Sequence, residues 1–148
     1  ADRFPDTPII INHLGLRPAW PPSPQGTNTG HDFASWASAI AELAPCENLY
    51  MKLGGLGMDL ASAGWTKARP PDSMELAAIM RPWYLHCVEQ FGAERCMLES
   101  NFPVDRRSVS YNVHWNAAKR LTAGLTPAER DALFRGTAAR AYRLSARD

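Results

Sequence analysis

A β-branched run that ends in a polar pair occupies the stretch Thr7-Pro8-Ile9-Ile10-Ile11-Asn12-His13, and Gly15 follows it. Successive apolar residues without polar alternation are typical of a strand that is buried on both faces. Two more short runs, residues 48–53 before Gly54 and residues 95–101 before Phe102-Pro103, have the same character. The sequence therefore predicts three short strands, each of which ends at a glycine or shortly before a proline.

Apolar residues recur at helical spacing between and after these strands. Asp72 and Glu75 have the spacing of a capping box at the start of the second helix, and Thr126 and Glu129 have it at the start of the last. The strand and helix order is β-α-β-α-β-α-α, which predicts an α/β fold with parallel strands and right-handed crossovers. The helical patterns cover about residues 33–44, 76–91, 111–123 and 127–144.

Composition indicates one ordinary globular unit, which we take as residues 1–148. The net charge is +1, so neither a nucleic-acid partner nor a membrane surface is indicated. No apolar run approaches the roughly 20 residues of a membrane span. Three cysteines without CxxC spacing predict neither a disulfide framework nor a zinc knuckle, and favour a cytoplasmic location. The chain begins at Ala1 without a methionine, which suggests a processed chain or a fragment.

Polar residues follow or end all three predicted strands, and parallel strands place their C-terminal ends around one mouth. His13 ends the first strand, and its imidazole could ligate a metal, act as a base, polarise a carbonyl or simply be hydrogen-bonded in place. Lys52 could hold an anionic substrate group or form a salt bridge with Glu99. Asn101 ends the third strand and Asp105 follows four residues later. These side chains are the candidate site.

Glu99 lies one strand layer deeper than Asn101, and a buried glutamate is either paired with a cation or has a raised pKa. The pattern favours the ion pair. Arg17 and Trp20 lie in the long loop after the first strand and are candidates for substrate binding, because long loops at this end of α/β folds are commonly functional. The turn Gly54-Gly55-Leu56-Gly57 resembles a phosphate-binding loop, but no helix follows it directly and a flexible loop is favoured.

The order of several short motifs resembles the amidohydrolase-2 family, the predicted metal-dependent hydrolases of the TIM-barrel fold, over nearly the whole chain. Relatives in that family include sugar lactonases, a pyrone dicarboxylate lactonase and a carboxymuconate-semialdehyde decarboxylase. The motifs are Ile11-Asn12-His13-Leu14-Gly15, Lys52-Leu53-Gly54-Gly55-Leu56-Gly57-Met58, Arg81-Pro82, Phe91-Gly92-Ala93-Glu94-Arg95-Cys96-Met97, Ser100-Asn101-Phe102-Pro103-Val104-Asp105, Tyr111 with Trp115-Asn116-Ala117, and Leu133-Phe134-Arg135-Gly136-Thr137-Ala138-Ala139-Arg140-Ala141-Tyr142.

The resemblance implies that the three strands are the sixth, seventh and eighth of a (β/α)8 barrel, incomplete as a barrel in this chain. His13 would be the sixth-strand histidine that polarises or protonates the substrate. Asn101 stands where many relatives have a metal-binding or proton-accepting Asp, and Asp105 is a possible replacement base. A divalent metal such as zinc is possible in the family, but an Asn is a poor zinc ligand. The family's His-x-His pair also has no counterpart, so we expect no metal site here.

The implied function is an amidohydrolase-like hydrolysis of a lactone or a related carboxylic ester or amide, with a small carboxylic molecule as substrate. Two alternatives stay open: a decarboxylase or hydratase of the same family, and a non-catalytic half-barrel that acts as an association module. Three strands cannot close a barrel. The chain should therefore need the remainder of the barrel or a homo-oligomer partner, and a full active site is not expected from this chain alone.

Overall fold

The computed structural model describes residues 1, 3–16, 33–58, 60 and 65–145. Its sheet has three parallel strands in the order β1 (Ile9–Ile11), β2 (Leu49–Leu53) and β3 (Cys96–Leu98). Ile9 pairs with Leu49, and Met51 pairs with Cys96. The prediction of three parallel strands is confirmed, but each strand is shorter than predicted. His13, Glu99 and Asn101 therefore lie just beyond the strands rather than within them.

Helices of very different lengths connect and follow the strands. A short turn labelled α1 (His13–Leu16) follows β1, and the predicted last helix is divided by a π-helical turn at Ala132–Gly136. Single 3-10 turns lie at Leu56–Met58, Ala93–Arg95 and Val104–Arg107. The remaining helices are α2 (Phe33–Leu43), α3 (Ser73–Phe91), α4 (Tyr111–Leu121), α5 (Pro127–Asp131) and α6 (Thr137–Ala141).

Capping side chains fix where α3 and α5 begin. The carboxylate of Asp72 accepts hydrogen bonds from the backbone N–H groups of Met74 and Glu75, while the Glu75 side chain accepts from the Asp72 N–H. Thr126 and Glu129 form the same reciprocal arrangement at α5. Both boxes satisfy N–H groups that a helix start leaves without partners. The two capping boxes predicted from the sequence are confirmed.

One face of the sheet packs on the helices, and the central strand is less buried on its other face. Along β2, Leu49, Met51 and Leu53 are buried in the core with Leu76, Met80 and Tyr84 of α3, whereas Tyr50 and Lys52 are half-buried. Within the described residues, β1 and β3 each pair with β2 alone, so both edges of the sheet lack a neighbouring strand. This is the arrangement expected of part of a barrel whose remaining strands are not in this chain.

Two further features bear on the sequence expectations. Within the described ranges, no helix has both the length and the apolar character needed to cross a bilayer. Cys87 and Cys96 are buried thiols, and burial raises the pKa of the Cys96 thiol to about 12.

Substitution of Asp72 by alanine tests the cap of α3. We expect D72A to lower the free energy of unfolding by about 1 kcal/mol, because two N–H groups lose their acceptor. Urea denaturation followed by circular dichroism measures the change. E89A is the matched control, since Glu89 is an exposed acidic residue further along α3, and its effect should stay within about 0.5 kcal/mol. Equal losses in the two variants would contradict the capping role.

Candidate active site

The predicted site residues meet at the C-terminal end of the sheet. His13 follows β1, Lys52 lies near the end of β2, and Glu99 follows β3 directly. The backbone N–H of Glu99 donates to the carbonyl of Leu53 at 3.1 Å, which extends the ladder between β2 and β3 by one hydrogen bond. Because that bond fixes the backbone of Glu99, its carboxylate is held at the mouth between the other two side chains.

The closest polar contact of the site joins His13 and Glu99. The Nδ1 atom of His13 lies 2.5 Å from Oε1 of Glu99. A carboxylate acts as the acceptor here, so Nδ1 carries the proton and donates it to the hydrogen bond. The ring nitrogen Nε2 then keeps a lone pair in the neutral imidazole. The pair is thus a histidine–carboxylate dyad, an arrangement that orients an imidazole and selects its tautomer.

The backbone around His13 adopts a conformation that L-residues rarely take. His13 has φ 52°, Leu14 has φ 59° and Gly15 has φ 76°, all in the left-handed region. Such a conformation costs a non-glycine residue roughly 1–2 kcal/mol. The surrounding packing offsets this cost, because Leu14 is fully buried and its carbonyl accepts a hydrogen bond of 2.9 Å from Nε1 of Trp36. Tertiary contacts therefore determine where the imidazole lies.

Lys52 approaches the same carboxylate from β2. Its Nζ lies 3.6 Å from Oε2 of Glu99 and 5.7 Å from the ring centroid of Tyr142. Burial disfavours the ammonium charge, but a hydrogen bond with Tyr142 and the attraction of Glu99 outweigh it, so the pKa of Lys52 is raised. The ion pair that the sequence favoured for Glu99 is present. A substrate-binding role for Lys52 stays a prediction.

Asp105 is buried beside Asn101, with only 1% of its surface exposed. Its Oδ1 accepts a hydrogen bond of 2.7 Å from Nδ2 of Asn101, and its Oδ2 accepts one of 3.1 Å from the N–H of Gly57. Burial raises the pKa of the Asp105 carboxyl, although the Asn101 amide and the Gly57 N–H act in the opposite direction. Asp105 does not cap α4, because Ser110 does so.

Three glycines allow the loop after β2 to approach the site closely. A Cβ atom on Gly54 would lie 2.1 Å from Cγ of Glu99, and one on Gly57 would lie 2.6 Å from Cγ of Asp105. Gly55 has φ 78°, and a Cβ there would lie 2.7 Å from Cβ of His13. The expectation of a flexible loop was wrong. Residues 53–57 are buried, and the loop packs against the side chains of His13, Glu99 and Asp105.

Two candidate substrate residues, Arg17 and Trp20, lie outside the described residues, so their roles stay predictions. His114 of α4 is buried beside the site, and burial lowers its pKa while Glu99 opposes that shift. His114 lies near Glu99, and Tyr142 lies near Lys52. Each pair joins segments that are distant in the sequence, so no local pattern predicts either pair.

The side chains of the site do not by themselves make a metal centre. Across the described ranges, no three His, Cys, Asp or Glu side chains come together in a way that could hold a metal ion. Nδ1 of His13 already faces Glu99, and both oxygens of Asp105 already accept hydrogen bonds. The residues present in this part of the chain therefore do not fit a metal ion unaided.

The fold of this chain matches a family model and a solved structure of that family. The amidohydrolase model Amidohydro_2 matches residues 1–144, and the chain belongs to this family. The crystal structure of an amidohydrolase from Burkholderia multivorans with bound zinc superposes with a TM-score of 0.77 at 26% identity, covering 97% of this chain and 46% of that one. The prediction of a partial TIM barrel is confirmed.

Two curated relatives match over most of the chain. An uncharacterized protein of Sinorhizobium fredii is 36% identical over 141 residues, which are 95% of this chain and 40% of the relative. An L-fucono-1,5-lactonase of Burkholderia multivorans is 33% identical over 138 residues, which are 92% of this chain and 43% of that enzyme. The chain thus spans less than half the length of these relatives.

Substitution of Gly57 by alanine tests the close approach of the glycine loop. We expect G57A to lower the free energy of unfolding by about 1–3 kcal/mol, because the added methyl overlaps the buried Asp105 carboxylate. Urea denaturation measures the loss. G124A is the matched control, since nothing lies within 4 Å of a Cβ at Gly124, and it should leave stability unchanged or raise it by up to about 1 kcal/mol. A G57A variant as stable as G124A would contradict the packing described here.

Proposed function

We propose that this chain forms part of the active site of a hydrolase that opens a sugar lactone or cleaves a related carboxylic ester or amide. The observation that carries the proposal is the 2.5 Å contact between Nδ1 of His13 and Glu99 at the C-terminal end of the sheet. Membership of the amidohydrolase family supports the reaction type, and the relative named L-fucono-1,5-lactonase supports a lactone as the substrate.

His13 is the proton-transfer residue in this proposal. With Nδ1–H donated to Glu99, the lone pair of Nε2 removes a proton from water as the water oxygen attacks the carbonyl carbon. When the tetrahedral intermediate collapses, the ring carbon–oxygen bond breaks and the leaving oxygen takes the proton back from Nε2. The product is an open hydroxy acid, and the imidazole returns to its starting state.

Asn101 and Asp105 together stabilise the carbonyl oxygen of the substrate, which becomes negatively charged when water attacks. One N–H of the Asn101 amide is donated to Asp105, which leaves the second N–H for the developing oxyanion. Asp105 is thereby a positioning group, and it stays the second candidate for the base, as the family resemblance implies for this position. An amide cannot replace a carboxylate as a base, so Asn101 itself serves only as a donor.

Substrate binding and assembly complete the proposal. Lys52, Arg17 and Trp20 are the residues that we propose to contact the substrate, and no step depends on a metal. The two open edges of the sheet are closed by the remainder of a barrel or by a homo-oligomer partner. A cytoplasmic location stays a prediction from the number and spacing of the three cysteines in the sequence.

Substitution of His13 by asparagine tests the proton-transfer role in the complete protein. We expect kcat for L-fucono-1,5-lactone to fall by about 10²–10⁴-fold, the range for loss of a general base. Proton release detected with a pH indicator measures the rate. H86N is the matched control, because Nε2 of His86 hydrogen-bonds the carbonyl of Ala37 between two helices and not the site.

Two outcomes would contradict the proposal. Unchanged lactone opening in H13N, with a native circular dichroism spectrum, would remove His13 from the mechanism. Release of CO₂ from a carboxylated substrate by the wild-type protein, without lactone opening, would favour the alternative decarboxylase reaction.

Variants of Glu99 test whether its carboxylate sets the tautomer of His13. In the wild type we expect the proton on Nδ1, as shown by ¹⁵N-labelled histidine and long-range ¹H–¹⁵N correlation spectra. E99Q should keep this tautomer, because the amide oxygen is still an acceptor, whereas E99L should lose the preference. Lactone opening should fall more in E99L than in E99Q. An unchanged tautomer in E99L would show that Glu99 does not position the imidazole.

A further inference from the structure

We propose that a groove beside the candidate active site binds a carboxylate carried on an apolar ring. The groove has a volume of about 610 Å³ and lies between two segments. One is the prolines Pro70 and Pro71, which come before α3. The other runs from the residues after β3 to the first turn of α4. Both segments follow C-terminal ends of parallel strands, where barrel proteins build ligand sites, including anion sites, from neighbouring loops.

The walls of the groove are apolar and partly aromatic. Phe102 and Tyr111 meet edge to face, with ring centroids 5.2 Å apart and an interplanar angle of 84°. Val109 is buried at the groove, and Pro70 and Pro71 form the opposite wall. Aromatic edges and proline rings offer contact area to a flat or cyclic ligand without requiring it to give up hydrogen bonds.

Two neighbouring arginines give this groove its charge. Arg106 and Arg107 are exposed and line it, and both also line an adjoining depression of about 620 Å³ beside Pro103. Among the residues that the structure describes, no acidic side chain lines either space and neither guanidinium belongs to an ion pair. Two adjacent positive charges attract an anion, and guanidinium groups bind carboxylates through paired hydrogen bonds.

The arginines project from a turn that is already fixed. The 3-10 turn Val104–Arg107 is anchored by the buried Asp105, whose Oδ2 accepts from the N–H of Gly57. Ser108 Oγ donates to the carbonyl of Gly57 at 2.5 Å, and Nη2 of Arg107 donates to the carbonyl of Met58 at 3.3 Å. A ligand that binds here therefore orders little additional backbone, which favours affinity. The same turn carries Asp105, so the groove adjoins the site.

Direct binding measurements on the complete protein test this groove, with benzoate as the probe and benzamide as its neutral counterpart. We expect benzoate to bind, benzamide to bind much more weakly, and the benzoate affinity to fall as salt is added. R106Q/R107Q should weaken benzoate binding by about tenfold or more. R81Q/R135Q is the matched control, because it also removes two exposed arginine charges but neither residue lines the groove. Isothermal titration calorimetry gives the dissociation constants.

Each outcome supports or overturns the proposal. Equal benzoate affinity in the two double variants overturns it, and so does inorganic phosphate that binds as tightly as benzoate, since the apolar walls would then contribute nothing. R106K/R107K keeps the two positive charges but lacks the planar guanidinium groups. Benzoate binding that is stronger in this variant than in R106Q/R107Q supports the proposal. H13N should bind benzoate like the wild type, so a failure of the proposed hydrolysis and a failure of this groove give different results.

Discussion

One carboxylate connects the ends of all three strands. Oε1 of Glu99 meets His13 from β1, and Oε2 meets Lys52 from β2, while the Glu99 backbone extends β3. A half-buried carboxylate is stable only with partners that compensate for lost hydration, and here one partner is a potential catalytic group and the other a permanent cation. Removal of Lys52 would leave the Glu99 carboxylate without the cation that pairs with it, so the three side chains form one electrostatic unit.

Asn101 and Asp105 form a hydrogen-bonded pair in which the carboxylate belongs to Asp105 and not to the residue at the strand end. The strand-end position holds an amide, and the carboxylate lies four residues later in a 3-10 turn, where Asn101 and Gly57 donate to its two oxygens. Glu99 would repel a second carboxylate at position 101, since Coulomb repulsion between close like charges is strong in a partly buried site. With Asn at position 101, the carboxylate that contacts it is that of Asp105, which accepts hydrogen bonds from Asn101 and from Gly57.

Local patterns in the sequence predicted the elements, whereas long-range contacts determined the details of the site. The capping boxes at Asp72 and Thr126 need only residues three apart, and the parallel sheet follows from strand–helix alternation, so both could be predicted. The strands were predicted too long because polar residues after a strand continue the extended pattern. The left-handed turn at His13 depends on Trp36, which lies on another element, and no neighbour in sequence predicts it.

The glycine loop after β2 has a practical consequence for protein engineering. Because a side chain at position 54, 55 or 57 would overlap Glu99, His13 or Asp105, a library that randomises this loop would disturb the geometry of the candidate site. Variation is better placed at residues such as Tyr111, whose side chain is half exposed. The glycine-rich loop at residues 54–57 looks tolerant of substitution in the sequence, but its close packing makes it a poor position for redesign.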